Sequence, residues 1–306
     1  MIIGIIKLAE VIILENYKRK RIFLVKYFIS NKLQLFAIVY FFITIILIIF
    51  APLIATNDPT EIISGERLLP PSKVHLFGTD INCMDIFSRT IYAYRIDILI
   101  ALMGALFSFG VGVPLGIFIG YFEGKKRSIF SVFSFCIMRI MDVIQALPIF
   151  VLALVLVAAF GPSKLNIIFC IFITNIPVFL RLSRAETIIV RSSPYIEAAT
   201  IAGNSEFKKI FIHIFPNAIT QSVAMISMVM GMGILLTAGI SFVGAGIKAP
   251  TAEWGLMISV GARSIITGQW WPSFFPGFFM AITVFAFSML GEAITTLFNP
   301  LERRKI

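Results

Sequence analysis

Six stretches of this chain are so apolar and so long that a bilayer is the one solvent suited to all of them. A helix rises 1.5 Å per residue, so about 20 apolar residues cross the roughly 30 Å of hydrocarbon in a membrane. Leu35 to Thr56 meets that length, as do Ile98 to Phe122, Ser222 to Val243 and Phe274 to Phe298. Leu165 to Leu180 is shorter and contains Pro177. Ile129 to Phe160 is too long, roughly 48 Å as one helix, and carries Arg139, Asp142, Gln145 and Pro148. Its first third is expected as an amphipathic helix on the membrane surface, with the span itself over 143–160. Arg139 and Asp142, three apart, are expected to satisfy each other on one helix face; a proton relay is the less economical reading. Only 14% of the 306 residues are charged and 58% are hydrophobic, whereas a soluble domain is about a quarter charged. The fold class that follows is an all-α polytopic membrane protein with six transmembrane helices.

The segments between the spans set the organisation. Residues 1–34 form an N-terminal segment whose apolar start, MIIGIIKLAEVIIL, lacks a signal-peptide cleavage pattern and reads as an interfacial helix or a frayed end. Residues 35–56 are the first span, 57–93 a polar loop rich in Pro, Asp and Glu, 94–298 a five-helix core, and 299–306 a tail. Gly112, Gly116 and Gly120 recur every fourth residue, a small-residue face that lets another helix approach closely. Most of the 26 Lys and Arg lie in the N-terminal segment, the loop Gly124 to Arg127, the region 181–209 and the tail. By the positive-inside rule those segments, and both termini, are cytoplasmic, and 57–93 is extracytoplasmic. The basic residues sit in short loops beside apolar runs, which gives no nucleic-acid surface. Cys83, Cys136 and Cys170 are too scattered for a disulfide framework or a metal-spaced pair.

One polar stretch interrupts the core. Tyr195 to Asn217 reads YIEAATIAGNSEFKKIFIHIFPN, inside a loop spanning 191–217. Ser193-Pro194 is an N-cap and first-turn pair, and Glu197 favours the helix N-terminus. Gly203 stops that helix as a left-handed cap, and Asn204 or Ser205 caps a second one expected to end before Pro216. The product is a helix–glycine–helix elbow between two spans, too polar to cross the bilayer itself.

Glu197-Ala198-Ala199, Gly203 and Ile214-Phe215-Pro216 resemble the "EAA" loop of inner-membrane permease subunits of ATP-binding-cassette importers. Four further stretches extend the likeness to the second permease subunit of dipeptide, oligopeptide or nickel importers. They are His75 to Asp80 with Asp85 to Arg89, then Met141 to Pro148, then Ser241 to Gly246 with Ala252 to Gly255, and Phe275 to Gly277 through Asn299-Pro300. The resemblance implies the type I importer permease fold in the inner membrane of a bacterium. It also implies a second homologous permease, two ATPase subunits that carry the ATP and magnesium, and an extracytoplasmic solute-binding protein. In that family the elbow docks on the ATPase, which assigns Glu197, Ala198, Ala199, Gly203, Ser205 and Pro216 to coupling. Asp80, Asp85 and Arg89 become candidates for contact with the binding protein. Cys83-Met84 stand where the family usually has Gly-Arg before the external Asp, which puts the arginine's contact in doubt.

The chain's own chemistry is sparse. Gly120 to Lys126 is one residue short of a phosphate-binding loop and lacks its hydroxyl, so ATP hydrolysis is left to partners and the chain is not expected to be an enzyme. With two histidines, neither a catalytic triad nor a zinc cluster is assembled, and no cofactor or metal is expected on this chain. Met225, Met228, Met230 and Met232 either pack or line a tolerant path. Glu253 and Trp254 are candidates for a gate or for meeting a peptide amine. His75, Cys83 and Met84 keep nickel or a metal chelate open as the alternative cargo to peptides. An ion-coupled secondary transporter would show internal repeats or several buried charges, and a non-transporting scaffold would not need the elbow.

Overall fold

The computed structural model describes residues 31–123 and 129–298. The N-terminal segment before Asn31, the Gly124–Arg127 loop and the tail with Asn299-Pro300 therefore lie outside the described residues. Regular structure among the described residues is helical, apart from one isolated bridge between Thr79 and Asp85. Among the described residues, five helices are long and apolar enough to span: α1 (Lys32–Ile54), α2 (Ile86–Phe122), α5 (Lys164–Arg191), α9 (Thr220–Phe242) and α11 (Trp271–Phe298). Between α2 and α5 lie α3 (Ile129–Ala146) and α4 (Ile149–Phe160), bent by 95° where they meet. The elbow comprises α6 (Pro194–Ile201), α7 (Glu206–Lys208), a π-helical turn (Lys209–Ile214) and α8 (Phe215–Ala218), and α10 (Trp254–Ile265) precedes α11.

The closest pairing joins α2 to α5, and glycine makes it possible. A Cβ on Gly112 would lie 2.8 Å from the Phe179 Cβ and 2.9 Å from the Ile176 carbonyl oxygen. A Cβ on Gly116 would collide with the Ser183 hydroxyl and the Leu180 carbonyl, and one on Gly120 would come within 2.7 Å of the Arg184 carbonyl. Gly104 continues the seam against Ile171. Partners advance along both helices in step, so α2 and α5 run parallel. Parallel neighbours need a return crossing between them, which α3 and α4 provide together. The sixth span is this bent pair, since the 12 residues of α4 reach only about 18 Å. Pro148 places the break at 147–148, so the expected span over 143–160 is corrected to a helix that turns through a right angle there.

Other boundaries also move. α2 begins at Ile86, so the last turns of the expected 57–93 loop belong to a 37-residue helix. Asp85 caps it by accepting from the Ser88 amide at 2.8 Å. The expected short span at 165–180 is the first part of a 28-residue helix that continues to Arg191. Its charged end is held by polar partners rather than lipid, as described below.

α9 is the most enclosed span, packed against α2, α5 and α11. α1 lies outermost, and one polar knot fixes it. The Tyr40 hydroxyl is 2.6 Å from the Tyr94 hydroxyl and 2.9 Å from Thr283 Oγ1, joining α1, α2 and α11. Where hydrocarbon surrounds the helices, such bonds and close backbone contact replace the hydrophobic effect as the source of association.

Gly116→Val should therefore cost about 1–3 kcal/mol through overpacking, seen as a lower melting temperature of the detergent-solubilised protein. Gly110→Val, whose Cβ meets nothing within 4 Å, should leave it unchanged.

Candidate functional site

The elbow is anchored from below by charge and from within by apolar burial. Arg184 forks onto Glu123 at 2.8 and 2.5 Å, and Arg191 donates to the Tyr121 and Glu123 carbonyls at 2.7 Å each. The Arg191 bonds satisfy carbonyls that the end of α2 would otherwise leave open. After the turn at Ser192-Ser193, Pro194 opens α6 at its first position, where its missing N–H costs nothing. Ser193 takes the N-cap position, but its hydroxyl points back to the Ile189 carbonyl at 3.5 Å. Ile196 and Ala199 are buried, and Ile196 packs into the core that also holds Ile214 and Ala218.

The stop is the expected one. Gly203 has φ +76°, with its amide bonded to the Thr200 carbonyl and the Asn204 amide to the Ala199 carbonyl. That pair of bonds is a Schellman cap, and a left-handed residue there is easiest as glycine. The Ser205 hydroxyl then caps α7 by accepting from the Lys208 amide at 3.3 Å. The second helix does not end before Pro216. Proline is the second residue of α8, and the wide π turn before it relieves the clash its ring would make with a regular preceding turn.

Under the elbow lies a network that sequence reading did not anticipate. The Tyr121 hydroxyl donates to Glu206 Oε2 at 2.6 Å, while Lys209 Nζ donates to Glu206 Oε1 at 2.6 Å and to Thr200 Oγ1 at 3.5 Å. The Glu206 bond holds the Lys209 ammonium above the usual lysine range against its burial. Elbow and α2 are thus joined by side chains as well as by α5. A cleft of about 590 Å³ opens alongside, lined by Tyr121, Arg191, Glu197, Thr200 and Lys209.

Facing away from the bundle, the elbow exposes Glu197, Ala198, Gly203 and Ser205, together with Ile201 at 83% and Phe207 at 71% exposure. Phe211 stacks beside Phe207 with ring centroids 4.3 Å apart. Large apolar side chains left outside a polar segment mark a contact surface. Of the six sequence candidates, Ala199 alone is buried, so it belongs to the support beneath that surface. The missed residues, Ile201, Phe207 and Phe211, were visible as bulky side chains in an otherwise polar run.

The opposite end of the bundle corrects several expectations. Asp80, Asp85 and Arg89 are all buried and hold the 55–85 segment together instead of facing outward. Asp80 accepts from the Asn82 and Met84 amides, and Arg89 donates to the carbonyls of Pro59, Pro250 and Thr251 at 2.8, 2.9 and 3.3 Å. Arg89 thereby pins two distant loops to α2. Glu253 and Trp254 are fully buried rather than exposed on an outer loop. Glu253 caps α10 by accepting from the Gly255 and Leu256 amides at 2.7 Å, and burial pushes its carboxyl up. Trp254 packs edge-on to Tyr94 with centroids 4.7 Å apart, and its amide donates to Asp97 at 3.0 Å. The methionines divide. Met228 and Met232 are half exposed on one face of α9, Met225 is partly covered, and Met230 is buried. Arg139 pairs with Asp142 at 3.1 Å, as expected, and Arg181 reaches the same carboxylate at 2.6 Å.

His75 is buried between two carboxylates, with Nδ1 2.8 Å from Asp85 and Nε2 2.7 Å from Glu66. Both ring nitrogens are committed, which takes away the imidazole that a nickel site with Cys83 and Met84 would need. Burial opposes the imidazolium, but the hydrogen bonds and charges of Asp85 and Glu66 outweigh it and raise the pKa above 6.5. The sign follows from linkage. A raised folded-state value gives stabilisation that is complete below the ordinary 6.5 and lost as pH rises through the raised value. Protease resistance of the 55–85 segment should therefore be high at pH 6 and fall toward alkaline pH, and Glu66→Gln should shift that loss to lower pH. A flat profile would show that the imidazolium is not what closes the segment.

The sequence comparisons agree with this architecture. Residues 24–71 match the N-terminal TM domain of oligopeptide transport permease C. The chain is 37% identical over 256 residues to the probable D,D-dipeptide transport system permease protein DdpC of Escherichia coli K12, covering 84% of this chain and 83% of that one. It is 34% identical over 271 residues to the dipeptide transport system permease protein DppC of Alkalihalophilus pseudofirmus, covering 89% and 86%. The dipeptide transport system permease protein DppC of Escherichia coli K12 is 35% identical over 280 residues, covering 90% and 91%. A span-rich bundle with a polar elbow, matched over residues 112–304 by the model of the binding-protein-dependent transport system inner membrane component, belongs to that family.

Proposed function

We propose that this chain is one of two related permease subunits in an ATP-driven importer of dipeptides or oligopeptides. The observation that carries the reading is the exposed elbow, a surface of Glu197, Ala198, Ile201, Gly203, Ser205 and Phe207 wired to the longest spans. Relatives whose names specify dipeptide transport support the cargo class. They do not favour nickel, and the commitment of both His75 nitrogens argues the same way.

In this reading the elbow faces the cytoplasm, as do both termini, in the inner membrane of a bacterium. Two ATPase subunits close on ATP and magnesium, and one of them moves the elbow; an extracytoplasmic binding protein delivers cargo at the other end. Glu197 pairs with a basic group on the ATPase, while Ala198 and Gly203 allow close approach and Ile201 and Phe207 fill its cleft. The push reaches the membrane through rigid parts. Arg184–Glu123, Arg191 on the α2 carbonyls and Tyr121–Glu206 tie the elbow to α2, and the glycine seam makes α2 and α5 one body. That body swings against the partner permease to open the path to one side and then the other. Coupling of this kind requires no catalytic group on the permease itself.

The direct test is uptake of labelled dipeptide, longer peptide and nickel in a strain lacking the gene, with and without the gene restored. Peptide uptake that returns with the gene is expected, and nickel uptake alone would overturn the cargo. Gly203→Asp should abolish uptake while the protein still accumulates in the membrane, because the open surroundings leave only a strain of roughly 1–2 kcal/mol at φ +76°. Phe207→Asp should weaken co-purification of the ATPase at least tenfold, and unchanged recovery would remove the elbow from the interface.

A further inference from the structure

The half-exposed methionine face of α9 deepens at the elbow end into a cavity of about 440 Å³. Its lining includes Leu182 of α5, Gln221, Met225 and Met228 of α9, and Ser288 and Glu292 of α11. That volume lies within the range of small-molecule sites, and the wall mixes polar groups with unbranched thioethers that adapt to different shapes. Gly291 lets α11 close on α9, its position lying 3.1 Å from the Ala224 carbonyl for an added Cβ. The neighbouring Glu292 lines the same cavity as Met228.

Glu292 is exposed, and among the described residues its carboxylate has neither an ion pair nor a side-chain hydrogen bond. This is unusual at the elbow end, where cations are plentiful. Four cations of α5 and the elbow are already taken: Arg181 by Asp142, Arg184 by Glu123, Arg191 by the α2 carbonyls and Lys209 by Glu206. A carboxylate with no partner among the described residues, in a cavity of this size, has the charge that suits a cationic cargo.

We infer that this cavity is the cargo subsite at the elbow end of the path, where Glu292 favours peptides bearing positive charge, as a terminal ammonium or a Lys or Arg side chain. The inference rests on the peptide-importer reading above. Met225 and Met228 supply a side wall indifferent to sequence, so charge is the property this subsite distinguishes. The effect is modest because the carboxylate is solvated, and exposed ion pairs are worth a factor of a few.

The test uses the complete transporter in the strain lacking the gene and compares initial uptake of Lys-Lys and Glu-Glu dipeptides. Glu292→Gln should lower the Lys-Lys to Glu-Glu ratio roughly twofold, and Glu292→Lys roughly fivefold. Met228→Lys, which puts a cation on the same cavity from another helix, should lower it too and decides the matter if Glu292→Lys fails to accumulate. An unchanged ratio, or an equal fall for both peptides, overturns the subsite. Failure of the wild type to take up either peptide would instead overturn the peptide reading on which the subsite rests.

Discussion

The contact between α2 and α5 is the constraint from which the rest of the architecture follows. Lipid tails are as apolar as leucine, so two spans gain little by hiding apolar surface from them. They associate where backbones come close, and Gly112, Gly116 and Gly120 bring α2 onto the carbonyls of Ile176, Leu180 and Arg184. Because the pair is parallel, the chain has to cross back between them, and the bent α3–α4 unit is that crossing. Because the seam runs to the end of both helices, it also brings Glu123 under Arg184 and Tyr121 under the elbow.

Polar groups in this protein are used in two opposite ways. At the far end, Asp80, Asp85, Arg89, His75 and Glu253 are buried and turned inward, each meeting an amide, a carbonyl or an opposite charge. A charge removed from water needs such partners, since leaving it bare costs several kcal/mol. These residues therefore stabilise the segment over the spans. At the elbow end the supporting charges are likewise paired, but Glu197 and bulky apolar side chains stay exposed. Exposed apolar area is tolerated where something covers it, and this end is shaped to be held.

Local chemistry made much of the site legible. The Schellman cap at Gly203 and the cap at Ser205 stand where residue types placed them, because capping depends on neighbours within one turn. Pro216 misled, because whether proline ends a helix depends on the width of the turn before it. Glu253 and Trp254 misled for a different reason. A loop with Glu and Trp reads as accessible, and only the fold of α10 onto Tyr94 and Asp97 buries them.

The sequence alone determined the membrane class, the six crossings, the close-packing glycines and the polar elbow between two spans. Each depends on apolar length or on contacts within a few residues, which are written consecutively in the chain. Tertiary structure decided that α2 reaches back to Ile86, that α3 and α4 share one crossing, and that Arg89 reaches the carbonyls of Pro250 and Thr251. It also decided which acids are spent on the fold and which, like Glu292, have no partner among the described residues. Those outcomes depend on partners far apart in sequence, and a carboxylate's role is set by whatever the fold brings within 3 Å of it.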